Sequence, residues 1–133
     1  QFARVLAQIL DPRPYRERYL LLDEPFSNLD LRFQHELMQT VYRLSREGVG
    51  VWIILHDINL AACYADRFVL MKQGRILYEG TPNTVLQADT IEETFSYPVT
   101  ITNHPSHQRP LIIPSLHRDS FFPFIPESIE THA

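Results

Sequence analysis

The chain has 133 residues, 44% of them hydrophobic and 21% charged, and 16 acidic side chains against 12 basic ones give a net charge of −4. That length suits one modest domain, and the acidic balance disfavours a dedicated nucleic-acid binder, which carries a basic excess. Cys63 is the only cysteine, so no internal disulfide framework exists, and no apolar run reaches the ~20 residues that span a bilayer.

In chain order, Phe2, Val5, Leu6 and Ile9 share one helical face and predict a helix over 2–10, stopped by Asp11-Pro12. The run Tyr19-Leu20-Leu21-Leu22 ends abruptly at Asp23-Glu24-Pro25, which predicts a strand buried on both faces, as in a parallel sheet. After the turn 26–30, Phe33, Leu37, Val41 and Leu44 recur at spacings of four, four and three, an apolar helical stripe that Gly48 terminates. Val51-Trp52-Ile53-Ile54-Leu55 is a second apolar strand. Asp57 then reads as the N-cap of a helix over about 58–66. A strand, a helix of this length and a strand imply two parallel strands, whose carboxyl ends share one sheet edge. The fold class is therefore α/β, with Asp23-Glu24 and His56-Asp57 on the edge where such proteins place ligands.

Further along, 68–71 and 76–78 flank Lys72-Gln73-Gly74-Arg75 as a β-hairpin. Thr81-Pro82 opens a short helix to Leu86, and 90–95 predicts another. From Ser96 onward six of the ten prolines crowd the chain, so no long helix follows. Residues 99–113 read as strand and loop packed on the domain, and 115–133 as a tail.

The chemistry concentrates at the shared strand edge. Hydrolysing a nucleotide requires a carboxylate near Mg²⁺, a group that polarises the attacking water, and a partner for the γ-phosphate. Asp23 would hold Mg²⁺, through water because magnesium keeps much of its hydration shell. Glu24 would orient or deprotonate the water as general base. His56 follows 32 residues after Glu24 and could donate a hydrogen bond to the γ-phosphate. A phosphate-cradling loop is another matter. It requires spaced glycines and then Gly-Lys-Ser/Thr, whereas the glycines here are 48, 50, 74 and 80 and the only lysine is Lys72.

The run 19–25 resembles the Walker B motif of ATP-binding cassette (ABC) ATPases, Ser27-Asn28-Leu29-Asp30 resembles their D-loop, and His56 falls at their switch histidine. The resemblance runs from Gln1 to about Pro114. It implies a P-loop NTPase-like fold, a mainly parallel sheet flanked by helices plus a β-hairpin. The helix over 2–10 would follow the LSGGQ signature, and the signature, Q-loop and Walker A loop would lie upstream. The resemblance also implies ATP and Mg²⁺ as ligands, with Asp23, Ser27, Asn28 and Asp30 on the nucleotide side and Glu24 and His56 in hydrolysis. The segment Tyr97-Pro98-Val99, then His104-Pro105 and Arg109-Pro110-Leu111-Ile112-Ile113-Pro114, is similar to the ends of iron-chelate import ATPases, among them those for haem. Implied partners are membrane permease subunits, a second copy of the ATPase and, indirectly, a periplasmic substrate-binding protein. The implied location is the cytoplasmic face of a bacterial inner membrane. Import of ferric siderophores or vitamin B12, a soluble ABC ATPase of DNA repair or translation, and a truncated non-catalytic interaction module are the alternatives.

Other residues invite plainer readings. Asp30 serves equally as the N-cap of the helix after it. Cys63 reads as a small apolar residue. His104, His107, His117 and His132 are irregularly spaced among prolines, which suits polar loop residues better than a metal or haem site. The apolar patch 121–125 has no function assigned by its sequence.

Overall fold

The computed structural model describes residues 17–26 and 28–115, so the expected helix over 2–10, Ser27 and the tail patch 121–125 lie outside the described residues. The chain divides into two compact units, Gln1–Asp66 and Arg67–Ala133.

In the first unit, β1 (Arg18–Asp23), α1 (Leu31–Arg46), β2 (Val49–Ile54) and α2 (Ile58–Tyr64) follow one another. β1 and β2 pair in parallel from Arg18↔Val49 to Asp23↔Ile54, as the strand–helix–strand pattern predicts. Val41 and Leu44 of α1 pack with Leu20 and Val49, and Leu22 and Val51 border them. This core covers one sheet face only. Leu20 is 2% exposed while its neighbour Leu21 is 75% exposed, and Tyr19, Trp52 and Ile54 are exposed with it. The expectation of burial on both faces is thus corrected. Successive strand residues alternate sides, and among the described residues helices cover the Leu20 side alone. On the open side the Tyr19 ring lies over Gly50, its register partner, where a Cβ would sit 2.6 Å from the ring.

The stripe on α1 is also shifted. Met38, Val41 and Leu44 are buried, whereas Phe33 is 53% exposed. Phe33 lies in the first turn, before the helix reaches the layer formed by β1 and β2. Beyond Glu47, Gly48 adopts φ +86°, a left-handed conformation that ends the helix without steric cost.

The second unit contains β3 (Phe68–Lys72), β4 (Arg75–Gly80), α3 (Pro82–Val85), α4 (Ala88–Phe95), β5 (Val99–Asn103) and β6 (Pro110–Pro114). β3 and β4 form the expected hairpin, whose turn residues Gln73 and Gly74 both have positive φ, the twist-matched two-residue form. β5 and β6 form a second antiparallel pair. Phe68, Leu70, Val85, Leu86, Ile91 and Ile112 supply the unit's buried apolar side chains. Lys72 donates to the carbonyl of Glu93 (2.5 Å) and to Ser96 Oγ (3.1 Å), satisfying the C-terminal end of α4.

Candidate functional site

The parallel register sets the geometry of the site. Asp23 pairs with Ile54, and the ladder continues one step as the Glu24 N–H donates to the Ile54 carbonyl (3.1 Å). Glu24 therefore stands beside the residues that follow β2. Its backbone is left-handed (φ +43°), which for a residue with a Cβ costs about 1–2 kcal/mol and turns the chain out of the strand. Asp23 keeps the strand alternation and falls on the open face, and its neighbour is redirected.

That redirection brings Glu24 Oε1 to 2.5 Å from His56 Nε2. The side chains are 41% and 81% exposed, so the pair adds little stability and matters for position. Two residues 32 apart in sequence thus meet at the carboxyl ends of adjacent strands, and a carboxylate held against an imidazole can place or pass a proton.

The turn after Glu24 is held from below. Phe26 is buried against Met38 and Leu60, with Ile53 and Leu55 beside them. The Leu29 N–H donates to the Phe26 carbonyl (3.1 Å). Gln34 reaches back from α1, its Nε2 donating to the carbonyls of Leu29 (2.9 Å) and Phe26 (3.3 Å). Asp30 caps α1 by accepting from the Phe33 N–H (3.1 Å), and Asp57 caps α2 by accepting from the Leu60 N–H (2.9 Å). Asn28 is exposed on this turn. His35 Nδ1 and the Tyr64 hydroxyl, 2.9 Å apart, tie α1 to α2 behind the site. Sequence reasoning missed Phe26 and Gln34. Phe26 could have been noticed as the one aromatic among turn residues, but nothing local marks Gln34, whose partners lie outside its own helix.

Asp23 offers an exposed hard-oxygen donor. No group of three or more His, Cys, Asp or Glu side chains able to hold a metal occurs among the described residues. That donor set fits Mg²⁺, which binds one or two carboxylates and completes its shell with phosphate and water. It does not fit an all-protein metal cage.

No protein-family model matches the chain. A hemin import ATP-binding protein HmuV from Gloeobacter violaceus is 46% identical over 114 residues, 86% of this chain and 42% of that protein. HmuV of Photobacterium damselae subsp. damselae is 43% identical over 84% of this chain and 42% of its own length. HmuV of Burkholderia thailandensis is 46% identical over 86% and 43%. Over the matched residues, the chain is similar to ABC-transporter ATP-binding proteins. It spans about two-fifths of the length of these ATP-binding proteins. The fold agrees: a metal-chelate type ABC transporter solved in an inward-facing conformation superposes with a TM-score of 0.61 at 20% identity, over 74% of this chain and 40% of that one. The described part has no helix long and apolar enough to cross a membrane.

Proposed function

We propose that this chain is the C-terminal part, over 1–114, of the ATP-hydrolysing subunit of an ABC importer that takes up haem, with 115–133 as its tail. The identity of 43–46% with hemin import ATP-binding proteins across 84–86% of the chain carries this reading. The longer protein would sit peripherally on the cytoplasmic face of a bacterial inner membrane. It would bind permease subunits there, act indirectly with a periplasmic binding protein, and have no nucleic-acid partner. Its remaining part would supply the phosphate cradle that the glycines and Lys72 of this chain do not form, and would cover the open apolar face of β1 and β2.

Bound MgATP supplies the γ-phosphoryl group and the counter-charge for its transfer to water. From the end of β1, Asp23 would hold Mg²⁺ through its hydration shell. Glu24 orients the attacking water and accepts its proton. His56 would donate a hydrogen bond toward the γ-phosphate, and its contact with Glu24 places the imidazole beside that carboxylate at the edge. Ser27, Asn28 and Asp30 would act on the nucleotide side as the D-loop, and Asp30 would help couple a second copy, so that two subunits pair head to tail and complete each other's sites.

The test uses the full-length protein. Glu24→Gln is expected to bind ATP as the wild type does while turnover falls by at least ~10²-fold, in line with loss of a general base. Wild-type turnover would remove Glu24 from that role. Haem uptake by vesicles carrying the ATPase, its permease and binding protein checks the substrate. ATP-driven uptake of a ferric siderophore or B12 in place of haem would overturn the haem assignment and leave the ATPase intact.

A further inference from the structure

The turn joining β5 and β6 holds a side-chain cluster that plays no part in the proposed hydrolysis. The rings of His104 and His107 stack with centroids 3.9 Å apart and planes within 8°. Each ring also accepts a backbone hydrogen bond two residues on, His104 Nδ1 from the Ser106 N–H (3.2 Å) and His107 Nδ1 from the Arg109 N–H (3.3 Å). The backbone closes around them. His104 N–H donates to the Arg109 carbonyl (2.8 Å), and Gln108 N–H, from a left-handed residue (φ +58°), donates to the His104 carbonyl (2.9 Å).

An Nδ1 that accepts a hydrogen bond carries no proton, so the two contacts require the Nε2-protonated tautomer of each ring. The pair does not suit one metal ion, because ring-nitrogen lone pairs lie in the ring planes and two parallel planes share no point. Protonating either ring at Nδ1 turns an acceptor into a donor facing another donor. Protonating both places two positive charges face to face.

We propose that the β5–β6 turn is a proton-operated device, holding its observed form while His104 and His107 are both neutral and releasing the Ser106 and Arg109 amides on acidification. The surrounding charges agree. His107 is pushed below its ordinary value of 6.5 by partial desolvation first, and then by His104 and Arg109. α4, which packs against β5, carries Asp89, Glu92 and Glu93. Carboxylates would raise a histidine, and none of them contributes to the shift of His107. The Glu93 carboxylate is taken by the Tyr78 hydroxyl. A histidine depressed in the folded state binds fewer protons than in the unfolded one. The stability it contributes is therefore fully present above 6.5 and is lost as pH falls through the depressed midpoint.

Long-range ¹H–¹⁵N NMR of the histidine rings in the 133-residue chain, from pH 8 to pH 5, tests this. At pH 8 both rings should show the Nε2–H tautomer. His107 should titrate below 6.5, and the Ser106 and Arg109 amide signals should move with the histidine midpoints. His104→Ala and, independently, Arg109→Gln should each raise the His107 midpoint. An Nδ1–H tautomer in either ring at pH 8, a His107 midpoint at or above 6.5 in the wild type, or amides that ignore the histidine transitions would overturn the proposal.

Discussion

Asp30 shows how one side chain can serve two levels at once. Its carboxylate accepts the Phe33 N–H and closes the first turn of α1, while the proposed function also places it against a second subunit. The two roles separate by substitution. Asp30→Ala should lower stability by about 0.5–2 kcal/mol, read from urea unfolding, because an orphan N–H is left at the helix start. Asp30→Asn keeps the acceptor and should stay near wild type in the same measurement, so that any loss of turnover it causes in the full-length protein reports on the subunit contact. Equal destabilisation by both variants would show that charge, and not capping, holds the turn. Glu24 is the other residue with a cost attached. Its left-handed backbone is tolerated because the bond to the Ile54 carbonyl and the buried Phe26 fix the chain on either side.

At the scale of elements, β1 is the informative case. Its apolar run looks uniform, yet the strand is half core and half open surface. Leu20→Ala should cost about 2–5 kcal/mol, because a cavity opens between β1 and α1. Leu21→Ala should change stability by no more than about 0.5 kcal/mol, as for an open surface position. Urea midpoints of the two variants check this, and a comparable loss at both positions would mean that the outer face is covered after all. The helices behave more simply. Asp30 and Asp57 cap α1 and α2, and the aromatic pair of His35 and Tyr64 joins them. The site turn rests on that joined surface through Phe26, and its rigidity is borrowed from two helices rather than generated locally.

For the whole molecule, the decisive fact is proportion. The side chains proposed to act in hydrolysis sit at the edge of β1 and β2, while the chain spans about two-fifths of the ATP-binding proteins it resembles and forms no Gly-Lys-Ser/Thr loop. Phosphate affinity in such enzymes comes chiefly from backbone N–H groups and a lysine of that loop. The 133-residue chain should therefore gain no thermal stability from MgATP. Ligand at a hundred times its Kd would stabilise a competent site by about 2.7 kcal/mol, a shift of several degrees that differential scanning fluorimetry resolves easily. Such a shift would show that this chain binds nucleotide without the cradle.

The sequence by itself determined what is local or periodic. Unbroken apolar runs placed β1 and β2, 3.6-residue spacing placed α1 and the Asp57 cap placed α2, the Gln73-Gly74 turn was written in its residues, and the order of Asp23-Glu24, Ser27–Asp30 and His56 carried the resemblance to ABC ATPases. Tertiary structure decided what depends on which layer lies opposite. An apolar run reads the same whether one face or two are covered, so the exposure of Leu21 and Trp52 was not legible, nor was the exposure of Phe33 at the end of its stripe. The contact between Glu24 and His56 needed the register of two parallel strands and one left-handed residue, and the hold of Gln34 on the turn needed the angle at which α1 leaves it. Composition and spacing carry neither, because both are set by how separated segments meet.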